Sequence, residues 1–91
     1  MRFEWDEAKR RSNIQRHGFD FLDAEEVFEG ETATILDDRF DYGERRFVTF
    51  GFFRGRVVTL VHAKTSEEVR VISFRKASKY EEKFFFQKIR N

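Results

Sequence analysis

The segment Arg70-Val71-Ile72-Ser73-Phe74-Arg75-Lys76-Ala77 constrains this chain most, because it reads as a β-strand that carries cations into a sheet. β-Branched and aromatic residues favour extended backbone. A guanidinium or ammonium is costly to bury unless it meets opposite charge. Any fold that accepts this strand must give its cations a carboxylate, water or a bound anion. In a regular strand Val69, Val71, Ser73 and Arg75 share one face, and Arg70, Ile72, Phe74 and Lys76 share the other. Ser73 and Arg75 then point together while Arg70 points away. Both arginines reach one phosphate only if a bulge breaks the alternation. With regular pairing Arg70 is structural, and Arg75 has Glu81 or Glu82 of the next element as a simpler partner.

The rest of the chain supplies an α+β framework around that strand. Phe3 to Trp5 reads as a short first strand. Asp6 is a good helix N-cap, Glu7 to His17 a polar helix, and Gly18 its left-handed terminator. Asp20 reads as the cap of a second helix, Phe21 to about Glu29, with Phe21, Ala24, Val27 and Phe28 at helical spacing. Gly30 ends it, and the two helices form a hairpin around Gly18. Strands follow at Thr32 to Leu36, Arg46 to Phe53, Arg56 to Ala63 and Val69 to Lys76. They are separated by a polar loop over residues 37–44, a two-residue turn at Arg54-Gly55 and a turn at Lys64 to Glu67. Such short connections predict an antiparallel meander of about four strands. A C-terminal helix from about Ser78 to Ile89 closes the chain, with Ser78 as N-cap and Glu81 at the capping-box position.

A length of 91 residues predicts one domain, residues 1–91. The chain has no cysteine, which excludes a disulfide framework and a thiolate metal site and suits a reducing cytoplasm. No apolar run approaches the ~18 residues of a membrane span, and the N-terminus lacks the apolar stretch of a signal peptide. The net charge of +1 hides a strong asymmetry. Residues 1–17 carry net +2, residues 18–44 net −9 and residues 45–91 net +8. Either a basic face meets a polyanion, or the acidic segment folds over the basic ones.

Lys9, Asn13 and His17 recur every four residues along the first helix, with Arg16 beside them. This stripe either meets phosphate, with His17 as a proton carrier, or is a solvated face with His17 opposing the helix dipole. Arg46 opens the second long strand as a phosphate clamp or as a partner of Glu44. His62 sits in an apolar strand and reads as a core histidine before it reads as a base. Trp5 is either a base-stacking ring or a core anchor. Phe84-Phe85-Phe86 spans most of a helix circumference, so not all three rings can face one core. At least one needs a partner surface, a twin subunit or exposure. No HExxH, clustered histidines or glycine-rich phosphate loop occurs.

Taken together, Trp5-Asp6, Lys9, Asn13, Arg16-His17-Gly18, Phe21 and Ala24, then Glu44, Arg46 and Gly51, then Arg70-Val71-Ile72-Ser73, Arg75, Ala77 and Glu81 resemble the BrnT toxins of type II toxin–antitoxin systems. The resemblance spans Phe3 to about Phe85 and implies a fold like the RelE ribonucleases. It also implies a metal-independent endoribonuclease that halts translation, with no cofactor. The partner it implies is a DNA-binding, BrnA-like antitoxin, in an assembly that could be a homodimer or a heterotetramer with that antitoxin. Two departures stand out. Phe74 replaces a commoner small residue, which would reshape the site, and the Phe84–Phe86 run is unusually apolar.

Cleavage without metal needs the RNA 2′-hydroxyl placed in line with phosphorus, cations around the phosphate and a group that moves protons. Arg75 leads the phosphate candidates, followed by Arg46 and Arg70, with Ser73 orienting Arg75 and Lys9 and Lys76 as outer contacts. His17 or Glu81 is the acid or base. Trp5 and Asn13 complete the RNA-binding set. The residues without the resemblance say only that an RNA or other anion is bound. Two rival readings remain, a non-catalytic nucleic-acid adaptor and an interaction module working through its apolar C-terminal helix.

Overall fold

The computed structural model describes residues 1–90. Its elements are β1 (Arg2–Glu4), α1 (Glu7–His17), a 3₁₀ turn (Phe21–Asp23), α2 (Ala24–Phe28), β2 (Thr32–Asp37), β3 (Arg46–Phe53), β4 (Arg56–Lys64), β5 (Glu68–Lys76) and α3 (Lys79–Arg90). One five-stranded sheet runs in the order β1-β5-β4-β3-β2. The four longer strands form the expected antiparallel meander. The short N-terminal strand joins it in parallel, Phe3 opposite Val69.

Local chemistry sets the element ends. The Asp6 carboxylate accepts from the Lys9 amide at 3.0 Å. Gly18 ends α1 with φ 79, and its N–H donates to the Ile14 carbonyl at 2.8 Å. The helix expected over Phe21 to Glu29 forms only in part. Asp20 accepts from the Leu22 amide while the Asp23 amide bonds the Asp20 carbonyl, so the first turn closes tighter than an α-helix. α2 is therefore short, and the hairpin around Gly18 is lopsided.

Each sheet face has its own core. Phe19, Phe21, Ala24, Val27, Leu60, Val71 and Phe74 pack between the sheet and the α1–α2 side. Gly51 sits under α2, where a Cβ would lie 2.7 Å from Val27 Cγ1. Phe50, Val57, Ala77 and Phe85 pack under α3 on the other face. The Phe84–Phe86 run finds its partners inside the chain. Phe84 meets Phe50 at 5.6 Å between centroids, and Phe52 meets Phe85 at 5.1 Å and Phe86 at 5.9 Å. Phe85 is fully buried, whereas Phe86 stays 37% exposed, so one of the three rings is left in solvent as the helix geometry requires. Phe74 is fully buried, stacked on Phe19 at 4.8 Å on the α1–α2 side. Its bulk therefore fills the core and does not reshape the face that carries Arg75.

β5 is not a regular strand. β4 pairs Val61 with Ser73 but His62 with Val71, which leaves Ile72 as the extra residue of a β-bulge. The alternation expected for Val69, Val71, Ser73 and Arg75 is overturned by that single insertion. Val69, Val71 and Phe74 turn into the core, while Arg70, Ser73 and Arg75 share the opposite face with α3. Lys76, next along, falls on the α1–α2 side, opposite Val58, and so does not join Arg75.

Candidate active site

The open face is read from cross-strand rows. Arg46, Ala63 and Arg70 form one row, Val48, Val61 and Ser73 the next, and Phe50, Thr59 and Arg75 a third. α3 crosses the third row, and the first two rows are only partly covered, with Val48 at the margin of the α3 core. A cleft of about 280 Å³ opens there. Ile35, Val48, Phe50 and Val61 make an apolar floor, and Arg75, Glu81, Arg39 and Asp37 make a charged rim.

Arg75 is held by the first turn of α3. Its Nη1 and Nη2 donate to Glu81 Oε1 and Oε2 at 2.8 and 2.9 Å. Glu81 is fixed in turn by the Ser78 amide at 2.9 Å and the Thr59 hydroxyl at 3.2 Å. The Glu81 amide donates to Ser78 Oγ at 3.1 Å, completing the capping box. The Arg75 guanidinium holds the Glu81 carboxyl down at about 2, so it is ionised across the neutral range. Nη1 also reaches the Lys76 carbonyl at 3.3 Å. A guanidinium has five N–H donors in fixed geometry. The two left over are Nε–H and one Nη2–H, which lie side by side and match two oxygens of a phosphate.

Across the cleft Arg39 grips Asp37 at 2.8 and 2.9 Å and holds its carboxyl at about 2. The charge of Arg39 acts on Arg75. Sequence reasoning missed Arg39, and its only signal was being the sole cation in an acidic segment. At the far end Arg46 and Arg70 converge on one oxygen of Glu44, Arg46 at 3.1 Å. The Arg46 guanidinium also lies 4.2 Å from the Tyr42 ring. The bulge puts Arg70 and Arg75 on one face, their backbones about 13 Å apart along the strand.

The helix stripe reaches the same region from the edge. β1 pairs β5 only as far as Arg70. Beyond it Asn13 stands in for a strand: Oδ1 accepts from the Phe74 N–H at 3.1 Å, and Nδ2 donates to the Phe74 and Phe19 carbonyls at 2.8 and 2.9 Å. Asn13 is buried and its amide is engaged by backbone groups, which gives it a structural role at the edge of the sheet. Lys9, Ser12, Asn13, Arg16 and His17 line a second cleft against Ile72 and Ser73. Burial lowers the His17 pKa, helped by the charges of Arg16 and Arg75, so the imidazole is neutral at pH 7.

Two aromatic candidates resolve as packing. Trp5 is half-buried against the α1–α2 core, and its Nε1 donates to Glu7 at 3.2 Å, which leaves it off the open face. His62 is buried between Phe28 and Phe47, bonded to Thr49 Oγ1 at 2.8 Å, with Nδ1 unpartnered. Burial pushes its pKa down to about 4. Among the described residues no three His, Asp or Glu side chains gather as metal ligands would, and no helix is long and apolar enough to cross a membrane.

The family model described as the ribonuclease toxin BrnT of type II toxin–antitoxin systems matches residues 5–81. The matched stretch runs from Trp5 to Glu81 and so takes in α1, the whole meander and the Arg75–Glu81 pair, but not Phe84 to Phe86. No curated protein matches the chain significantly.

Proposed function

The chain belongs to the BrnT family of ribonuclease toxins from type II toxin–antitoxin systems, and we propose that it cuts RNA on the open sheet face beside Arg75 without needing a metal ion. Membership brings RNA as the substrate and an antitoxin as the partner. One observation supports the placement above all others. Glu81 and the Lys76 carbonyl occupy three of the Arg75 donors and leave a two-pronged fork aimed away from them.

A scissile phosphate in that fork meets a fixed cation, and the negative charge that develops during attack is stabilised without reorganisation. The RNA 2′-hydroxyl is the nucleophile. It bonds to phosphorus, the 5′-oxygen of the next nucleotide leaves, and the product carries a 2′,3′-cyclic phosphate. His17 is the better proton carrier of the two expected. Its imidazole is neutral and stands beside Ser73 at the lip of β5. Glu81 has both oxygens committed and a carboxyl near 2, so it acts as a positioning residue for Arg75. Ser73 shares the Arg75 face and donates to phosphate, and Lys9 and Arg16 guide the strand along the edge. Arg70 and Arg46 receive a neighbouring phosphate. The reading extends to the cell: cleavage halts translation in the cytoplasm, and a DNA-binding, BrnA-like antitoxin covers the toxin in a higher-order complex.

The adaptor reading draws on the carboxylates that already neutralise Arg75, Arg39, Arg46 and Arg70. Product chemistry separates the two readings. Long single-stranded RNA incubated with the purified chain and excess chelator should yield new ends bearing cyclic phosphate, and a single 2′-deoxy sugar should block its own site. Intact RNA that remains bound would favour the adaptor. Cleavage that persists past a 2′-deoxy sugar would exclude 2′-hydroxyl attack.

A further inference from the structure

Beside the cleft runs an apolar groove of about 320 Å³ lined by Ile35, Phe50, Tyr80 and Phe84, with Glu81 at its inner end. Ile35, Phe50 and Glu81 also belong to the cleft, so the two are continuous. Resting on the ribonuclease reading, we propose that this groove holds the base of a nucleotide whose neighbouring phosphate sits at Arg75, with Tyr80 as the stacking face.

Tyr80 is 82% exposed on the first turn of α3, and no protein group bonds its hydroxyl among the described residues. It contributes nothing to the core, which Phe85 fills from the same helix. A large aromatic ring left in solvent beside a cation fork is the pairing that single-stranded RNA requires, because an unstacked base seeks a π-face while its phosphate seeks charge. A docked protein helix would need an apolar stripe several turns long. Here the apolar lining is four side chains that end at the Glu81–Arg75 pair. The groove also offers little to read a base edge. Both Glu81 oxygens are engaged, and the remaining lining is hydrocarbon apart from the Tyr80 hydroxyl. Preference is therefore for bases that stack well, purines before pyrimidines, with no fixed sequence.

The test measures affinity for a 2′-O-methylated oligoadenylate, which cannot be cut, and for an equally charged strand of abasic spacers. Wild type, Tyr80→Ala, Tyr80→Phe and Arg75→Ala are compared, each checked for a native melting profile. Tyr80→Ala should weaken the oligoadenylate about tenfold, Tyr80→Phe should bind like wild type, and the abasic strand should ignore both changes. If Tyr80→Ala binds oligoadenylate normally while Arg75→Ala does not, the groove is a protein-facing surface and the proposal falls with the ribonuclease reading intact. If Arg75→Ala also binds normally, the cleft reading itself falls and takes the proposal with it.

Discussion

Single residues divide by whether their partners are near in sequence. Asp6, Gly18, Ser78 and Glu81 were legible because caps are made within three or four residues. Asn13 was not, since its partner Phe74 lies 61 residues away. Arg75 was legible as a cation that needs a carboxylate, and Glu81 is that carboxylate. Arg39 was lost because its meeting with the cleft depends on how the 37–46 loop folds. His62 gives this scale its sharpest expectation. Its folded pKa of about 4 lies below the ordinary value of 6.5, so the unfolded chain binds a proton that the native one refuses. Stability should be full above pH 6.5 and fall as pH drops toward 4, by roughly 3 kcal/mol. His17, also lowered, adds a loss of the same sign as pH falls below its ordinary value. Glu81 and Asp37 act later, losing their contribution only as pH falls from their ordinary values toward 2. Urea midpoints measured across this range should show the first step in wild type and lose most of it in His62→Gln. An unchanged step in that variant would mean that His62 is not the group responsible.

At the level of elements, the meander, α1 and α3 followed from periodicity and turn chemistry. The β5 bulge did not. Val71, Ile72, Ser73 and Phe74 offer apolar groups on both parities, so nothing in the pattern marks Ile72 as the residue to leave out. The bulge decides the site, since without it Arg70 and Arg75 lie on opposite faces. α1 matters for the same reason: it covers the bare edge of β5 just past the bulge. Asn13→Ala removes three hydrogen bonds and strands a buried N–H, which should cost about 3 kcal/mol. For a chain of this size the melting temperature should fall by more than about 10 °C. RNA affinity of the folded fraction should hold. A stable Asn13→Ala protein with weakened RNA binding would restore Asn13 to the RNA surface.

For the whole molecule the charge asymmetry resolves into both of its readings. The acidic stretch does fold onto cations: Asp20 meets Arg10, Asp23 and Glu26 meet Arg54, and Glu44 meets Arg46 and Arg70. Lys9, Arg11 and Arg16 on α1 and Lys79, Lys83, Lys88 and Arg90 on α3, by contrast, are among the cations that meet no carboxylate within salt-bridge distance among the described residues. The unpaired positive charge thus lies along both helices that flank the sheet, α1 and α3. Binding of single-stranded RNA through about four phosphate contacts should give a log–log salt slope of about −3. Replacing both Lys9 and Arg16 by alanine should bring it to about −1.5. A slope unmoved by that pair would take the strand away from α1.

Cleavage of long single-stranded RNA in excess chelator, by wild type and by Arg75→Ala purified identically, addresses the site most directly. Wild type should cut, and the variant should be slower by at least about a hundredfold while keeping its melting profile. Equal cutting by both proteins would contradict the placement of the scissile phosphate at Arg75.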